Sequence, residues 1–425
     1  MNILTLNCWS HTINYRLFNW EEKTVLASGT VERVALDGSF ITQTAAGREN
    51  YCLEVECPDH CCAISNITSM LTDPQHGVLN DAKQITAVGH RVAHGGEKFN
   101  RSVVVDDHIL DDIRQLRHLA PLHNAPNISG IEAALEFLPD IPHVLIFDTA
   151  FHLTMPEFAY IYPLPYEWYQ KYGVRRYGFH GPSHLYLSRR FAALTNKPAA
   201  ECNLITIHID KGVSLCAIRK GESIDTSMGM TPLEGAVMDT RSGDIDPGIT
   251  AFVMQELNLS AQEMEAVLNQ KSGISGITGR HINRRQLLNA AMDGDYRAKL
   301  ALEIESYRLR KYIGAYLAAV GPLDGIVFTS GTGETEWFAR ELVLTGLECL
   351  GILLDQEKNR AVLPDSREAK ISAANSPITT YVIHSDEELV FAEDVAAILS
   401  ESYHNHTDCN YTFTRPDFVP LLSAV

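Results

Sequence analysis

Asn203-Leu204-Ile205-Thr206-Ile207-His208 is the stretch whose reading decides the fold. It reads as a strand, followed by a polar loop over residues 209–212 and a second strand, Val213–Arg219. The chain opens in the same way, with Asn2-Ile3-Leu4-Thr5-Leu6-Asn7, a polar loop over 8–12 and a second strand over 13–18. In both copies a polar residue closes the first strand, and the copies start roughly two hundred residues apart. A repeat this long points to duplicated α/β domains and not to a solenoid of short units. The loops of the two copies are then expected to face each other across a cleft, the usual place for a ligand.

Outward from the repeat, residues 25–41 read as short β-pieces around an Asp37-Gly38 turn, and residues 45–80 read as irregular. Residues 85–92 form a buried-type strand running into the glycine-rich loop Ala93-His94-Gly95-Gly96. Helical periodicity covers 109–119 and 127–138, and His143–Phe147 is another buried strand, ending in Asp148-Thr149-Ala150-Phe151-His152. After the second copy come a helix, Tyr296–Val320, closed by Gly321-Pro322, and a strand, Gly325–Thr329. That strand enters Ser330-Gly331-Thr332-Gly333-Glu334, and a helix over 335–350 is expected next. Strand, glycine turn and helix N-terminus have the general form of an anion- or nucleotide-binding corner. A last strand over 381–384 and a last helix over 387–400 precede an aperiodic tail, 401–425, expected to lie on the surface. The chain contains no Walker A and no complete GxGxxG, which excludes a P-loop and a Rossmann site.

With 425 residues, 45% hydrophobic and 21% charged, the chain has length for two to three domains with full cores. A formal net charge of −18 argues against nucleic acid or an anionic membrane as the main partner, since both attract basic surfaces. Arginines that meet an anionic substrate must therefore be local. No basic, apolar leader is seen, and the longest apolar run, 312–328, is broken by Gly321-Pro322-Leu323-Asp324, so no membrane span is expected. Nine cysteines, an odd number without a secreted framework, suit free thiols and a cytoplasmic location. Cys57, His60, Cys61 and Cys62 lie close enough to suggest a metal, but structural zinc takes paired ligands from two segments, which adjacent cysteines serve poorly.

One further stretch, Arg175-Arg176-Tyr177-Gly178-Phe179-His180-Gly181-Pro182-Ser183-His184, is too polar and turn-rich for a core strand. Gly178 and Gly181 permit backbone shapes that a Cβ forbids, so the side chains between them can be presented instead of packed. Helical spacing returns over 184–194 through Leu185, Leu187, Phe191 and Leu194, giving a loop that feeds a helix with His180 at its mouth.

These strings together resemble the acetate and propionate kinases of the actin/sugar-kinase superfamily, over nearly the whole chain from Met1 to about Leu399. The resemblance is carried by Gly89-His90-Arg91-Val92-Ala93-His94-Gly95-Gly96, by Leu119-Ala120-Pro121-Leu122-His123-Asn124 and by Phe147-Asp148-Thr149-Ala150-Phe151-His152. The 175–184 stretch, residues 225–235 and Thr240-Arg241-Ser242-Gly243-Asp244-Ile245-Asp246-Pro247 complete it. It implies an α/β fold of duplicated actin-like (ribonuclease H-like) domains with an active-site cleft between them. The first domain is expected over 1–150 plus 385–400 and the second over 151–384, with the 401–425 tail apart. It also implies reversible transfer of the ATP γ-phosphoryl group to a short-chain carboxylate, with Mg²⁺, in a homodimer.

Both reactants of such a transfer are anions, so cations must hold them together, and a guanidinium fork matches carboxylate and phosphoryl oxygens in two-point contacts. The resemblance assigns Arg91 and Arg241 to substrate and transferring phosphoryl, His180 to the transition state, and Asp148 to a catalytic carboxylate's position. His123 and His208 match positions that contact phosphate, and Asn7 and Glu387 match positions near Mg²⁺. Ala93, Leu122, Phe179 and Pro232 match the walls of the acyl pocket. Acetate-preferring members carry valine where Ala93 stands and propionate-preferring members carry alanine, so a bias towards propionate is expected. A methylene in an apolar pocket is worth about 1–3 kcal/mol, enough to bias but not to exclude. Nucleotide contacts fall on Ser10, Thr12, Asn14, His208, Asp210, Lys211, Gly212, Asn283, Arg285, Gly331 and Gly333.

The chain departs from the family pattern in one region of function. Trp9 replaces a glycine, Asn14 a lysine, Asp239 a glycine and Pro182 a threonine, and Asp210-Lys211-Gly212 stands for Gly-Asn-Gly. Residues 281–285 keep only the last arginine of Ser-Ser-Asp-x-Arg, and Ser330-Gly331-Thr332-Gly333-Glu334 replaces Gly-Gly-Ile-Gly-Glu. The acyl and transition-state residues are kept while the phosphate and nucleoside contacts change. Three readings stay open at this point: an ATP-dependent acyl kinase, the same chemistry with another donor such as pyrophosphate, and a non-catalytic paralogue that binds a carboxylate or acyl phosphate.

Overall fold

β1 (Asn2–Cys8), β2 (Thr12–Asn19), β3 (Thr24–Glu32), β4 (Phe40–Ala45) and β5 (Tyr51–Glu54) form an antiparallel meander. β6 (Ala87–Val92), β7 (Val103–Val104) and β8 (His143–Phe147) extend it into one sheet of order β5-β4-β3-β2-β1-β6-β8-β7. β1, β6 and β8 run parallel. β6 and β8 are buried along their whole length, as strands covered on both faces must be, whereas β4 alternates buried and half-buried positions. The structure, a computed structural model, describes residues 1–363 and 366–419.

β9 (Leu204–Ile209), β10 (Val213–Arg219), β11 (Glu222–Thr226), β12 (Gly325–Thr329), β13 (Glu368–Lys370) and β14 (Thr379–Ile383) make the second sheet, in order β11-β10-β9-β12-β14-β13. β9 pairs antiparallel with β10 and parallel with β12, and β12 parallel with β14. β3-β2-β1-β6-β8 and β11-β10-β9-β12-β14 therefore repeat the same order and the same strand senses. The repeated strand–loop–strand pattern is the trace of this duplication. The chain divides into two compact units, Met1–Phe151 with the segment from Asp386 onward, and His152–Ser385. Leu4, Leu6, Ile13, Tyr15 and Leu17 anchor the core of the first unit, and Ile205, Ile207, Leu215, Ile313 and Phe328 that of the second.

Five expectations need correction. Residues 45–80 are not irregular throughout: beyond β5 they hold a helix, His60–Leu71, capped by Asp59, whose carboxylate accepts from Cys62 N at 2.8 Å. Its buried stripe, Ala63, Ile64, Ile67, Met70 and Leu71, has helical spacing, but the intervening Cys, Asn, Ser and Thr are weak helix formers that hide it. The helix expected from residue 127 spans Pro121–Phe137, with Pro126 inside it masking the first turns, and 109–119 divides into a helix, Asp107–Gln115, and a 3₁₀ turn, Leu116–His118. In place of one helix over 335–350 there are two short ones, Gly331–Thr335 and Trp337–Leu344. Between them the fully buried Arg340 donates to the carbonyls of Gly333 and Glu334 at 2.9 and 2.8 Å, taking acceptors a continuous helix would use.

The C-terminal segment is not a loose surface tail. Tyr411 and Phe413 are buried, Tyr411 donates its hydroxyl to Asp394 at 2.9 Å, and Thr412 N donates to Glu393 at 2.7 Å. Both carboxylates lie on the helix Glu387–Leu399, so the segment is strapped to that helix; residues 420–425 lie outside the described residues.

Candidate active site

In the first unit β6 carries Arg91, and Asp148 follows the neighbouring β8. Asp148 N donates to Val92 O at 3.0 Å, a continuation of the parallel ladder that brings the carboxylate level with the guanidinium. Arg91 Nε donates to Asp148 Oδ1 at 2.8 Å, Nη2 donates to Oδ2, and Nη1 donates to Asn7 Oδ1 at 3.1 Å. Arg91 is 4% exposed and Asp148 not at all. A two-point ion pair this deeply buried fixes the plane of the guanidinium, and losing one partner would strand the other charge away from water. Asp148 and Asn7 thus both hold Arg91. Near this pair, Glu387 opens its helix, and burial pushes its carboxyl up to about 7, opposed by Arg91 and helped by Asp148, Glu388 and Asp386.

The β1–β2 loop adds an aromatic. Trp9 N donates to Thr12 O at 2.8 Å, closing the turn, and His60 Nε2 donates to Trp9 O at 2.8 Å. The indole lies over Arg91, 4.2 Å from its guanidinium carbon, and edge-on to His123 at 6.1 Å. Ser10 is exposed at the tip, Thr12 donates to Glu32 at 2.9 Å, and Asn14 stands opposite Asn7 on β2. Ala93 is buried, its N–H donating to Asn127 Oδ1 at 2.9 Å, while Asn127 Nδ2 donates to Cys8 O at 2.6 Å. Asn124 takes both His94 N and His94 O at 3.0 Å. Leu122 is 44% exposed.

The second unit presents His180 at the N-cap of the helix Gly181–Leu194 with φ +57°, in the left-handed region that a non-glycine residue occupies only when its surroundings hold it there. Two residues earlier Gly178 has φ +81°, and a Cβ there would lie 2.3 Å from Thr226 Cγ2. His180 and His208 stack with ring centroids 4.1 Å apart. His180 Nδ1 lies 2.8 Å from Ser214 Oγ, Ser214 Oγ 2.9 Å from His184 Nε2, and His184 Nδ1 2.7 Å from Thr206 Oγ1. Burial, with His152 and His208 nearby, pushes the His184 imidazole well below its ordinary pKa, so the ring is neutral, one nitrogen donating and the other accepting. Ser214 has one hydroxyl proton to give, so this bridge couples the proton positions of His184 and His180. Behind them His152 donates from Nε2 to Phe179 O at 2.9 Å, and burial pushes it down to about 4.

Gly212, between β9 and β10, marks where these groups converge. A Cβ there would lie 3.3 Å from His180 Cε1 and 3.5 Å from Arg241 Nη1, tighter than or at the edge of ordinary contact. Arg241 Nη1 donates to Pro232 O at 3.1 Å, and Asp239 N donates to Lys211 O at 3.3 Å. The structure therefore gathers His180, His208, Gly212 and Arg241 in one place, with Phe179 next to His180 in the chain and Pro232 accepting from Arg241.

Several of the other expected nucleotide contacts are already engaged within the chain. The N-terminus of the helix Gly331–Thr335 is taken by carboxylates: Glu334 Oε1 accepts from Ser330 N at 2.7 Å and Thr329 Oγ1 at 2.9 Å. Asp210 Oδ1 lies 2.6 Å from where a Gly331 Cβ would be. This corner is not a vacant anion site. Asn283 is the N-cap of the helix Arg284–Met292, its side chain accepting from Gln286 N at 2.8 Å, and Arg285 pairs with Glu336 at 2.6 Å. Arg284, 4% exposed, pairs with Asp239 and, at 2.7 Å, with Glu305. The departure at Asp239 is thus neutralised by Arg284, at the unspecified position of the Ser-Ser-Asp-x-Arg pattern. Among the described residues no group of three or more His, Cys, Asp or Glu side chains could hold a metal ion.

Sequence reading missed Asn127, Thr206, Ser214 and the contact of Trp9 with Arg91. Asn124 and Asn127, polar and three apart on one helix face, were a usable signal. The others meet across strands and leave none in local spacing.

Two copies of one α/β sheet motif, carrying a caged arginine in one and an arginine with paired imidazoles in the other, define a duplicated actin-like phosphotransferase. Residues 2–393 match the Acetokinase family. The chain is 59% identical over 419 residues to the acetate kinase of Geobacter metallireducens, covering 99% of this chain and 100% of that one. The crystal structure of Porphyromonas gingivalis acetate kinase superposes with a TM-score of 0.88 at 42% identity, covering 94% of this chain and 99% of that one. A propionate kinase from Francisella tularensis gives a TM-score of 0.86 at 37% identity, covering 92% and 98%. The chain belongs to the acetokinase family, phosphotransferases with a carboxyl group as acceptor.

Proposed function

We propose that this protein is a short-chain carboxylate kinase, converting acetate or propionate and ATP reversibly to the acyl phosphate and ADP. The observation that carries the reading is the caged Arg91. Of five guanidinium N–H groups, three go to Asp148 and Asn7, leaving one on each Nη to meet an anion. A carboxylate oxygen attacks the γ-phosphorus, the bond to the β-phosphate oxygen breaks, and ADP leaves. Arg241 and His180 offset the charge on the transferring group, which is most of what catalysis of this transfer requires.

Asn7, Asp148 and Glu387 offer oxygen donors, the type a hard cation takes, and Mg²⁺ usually combines one or two protein oxygens with substrate phosphates. Held by these residues, Mg²⁺ would supply positive charge that offsets the substrate phosphates. The buried, small Ala93 supports a bias towards propionate, and a cytoplasmic homodimer completes the reading. Asp210 and Glu334 at the glycine turn favour one second reading, the same acceptor with pyrophosphate as donor.

The test is ADP release from MgATP and acetate. Arg241→Ala is expected to lower kcat by about 10³-fold or more, and Arg91→Ala to lower kcat/KM for the carboxylate on the same scale. Unchanged turnover in both variants would remove the assignment.

A further inference from the structure

Trp9 stands where the family resemblance places a glycine, and the bland account is a damaged phosphate loop. The contacts point elsewhere. Asp148 and Asn7 fix Arg91 within the plane of its guanidinium, and neither restrains motion out of that plane. The indole face, 4.2 Å from the guanidinium carbon, supplies that restraint and keeps water from one face of the cation. The loop that carries Trp9 is itself pinned. His60 donates to Trp9 O at 2.8 Å, Trp9 N donates to Thr12 O at 2.8 Å, and Val34 N donates to His11 O at 3.0 Å. His123 meets the indole edge-on at 6.1 Å.

We propose that Trp9 is a positioning residue for the carboxylate step: its indole holds Arg91 aimed at the acceptor and sets the affinity for small carboxylates. This rests on the reading that Arg91 grips the acceptor. The indole removes the option of tilting the guanidinium out of its plane, so an arriving carboxylate meets the remaining N–H groups pre-organised. The damaged-loop account makes the opposite prediction, that restoring glycine improves use of ATP.

The experiment compares the full-length wild type with Trp9→Phe, Trp9→Leu and Trp9→Gly, following acyl phosphate formation with acetate and propionate at saturating MgATP, then the KM for MgATP. Trp9→Leu keeps bulk without a π face and is expected to lose roughly 3- to 30-fold in kcat/KM for the carboxylate. Trp9→Phe keeps a face and is expected within about threefold of wild type. The KM for MgATP should stay within about twofold in both, and Trp9→Gly should gain nothing. Equal carboxylate kinetics across all four proteins, an equal loss in Phe and Leu, or a change confined to the KM for MgATP would overturn the proposal. Acetate titration followed by tryptophan emission gives a readout without turnover: the wild type should respond and Trp9→Phe should not. A wild type that makes no acyl phosphate yet shows this response would sink the functional reading and leave the Trp9–Arg91 contact standing; no response in a folded wild type overturns the proposal.

Discussion

Ser214 and Asp148 each hold a residue of the candidate site, Ser214 at His180 and Asp148 at Arg91. Ser214 Oγ stands between His180 Nδ1 and His184 Nε2, so Ser214→Ala frees the His180 proton from the state of a neutral, buried His184. The expected outcome is a shifted pH profile of kcat with little change in carboxylate KM; an unmoved profile would contradict the bridge. Asp148→Asn leaves Arg91 charged, buried and facing an amide. Breaking a buried pair from one side costs about 3–5 kcal/mol, so a fall in thermal stability should accompany the loss of activity, measurable by calorimetry. At Ala93 the change is one of volume: Ala93→Val should move the acetate-to-propionate ratio of kcat/KM towards acetate by roughly tenfold or more. A ratio that stays put would dispose of the pocket reading.

At the scale of elements, the C-terminal strap couples stability to pH. Burial pushes the Glu393 and Asp394 carboxyls up to about 7. Lys23 and Thr412 face Glu393, while Ser102, Tyr403, Tyr411 and, at 4.0 Å, His406 face Asp394, with Cys409 close to both. Unfolded carboxyls titrate near about 4, so the folded chain holds extra protons between the two values. Stability from these groups is therefore present at low pH and lost as pH rises to about 7. The melting temperature should fall between about pH 4 and 7, with a shallower fall in Asp394→Asn. The strap is not legible in the sequence, because aperiodic residues are ordered here by two acids on a helix of the same unit. The helix Tyr296–Val320 and the strands His143–Phe147 and Gly325–Thr329 are legible to the residue, since long apolar periodicity or a buried run between turn residues specifies them. The helix His60–Leu71 is not, for its buried stripe is set among weak helix formers, and it supplies His60 to the Trp9 loop.

For the whole molecule, duplication was the most legible property. Strand–loop–strand spacing at two places is enough to expect it, and the matching sheet orders repeat it strand for strand. The positions of Arg91, His180 and Arg241 were legible only through long strings of sequence, because each is held by partners from other strands and loops: Asp148 and Asn7 for Arg91, Ser214 for His180 and Pro232 for Arg241. The partners at the altered nucleotide positions were not legible: Asp239 with Arg284 is an ion pair formed across forty-five positions of sequence. The most direct test of the account is trapping the acyl phosphate as its hydroxamate, with acetate or propionate and either MgATP or pyrophosphate. The account predicts hydroxamate with MgATP, more from propionate than from acetate at equal low concentration. No hydroxamate from MgATP, in protein shown to be folded, would contradict it.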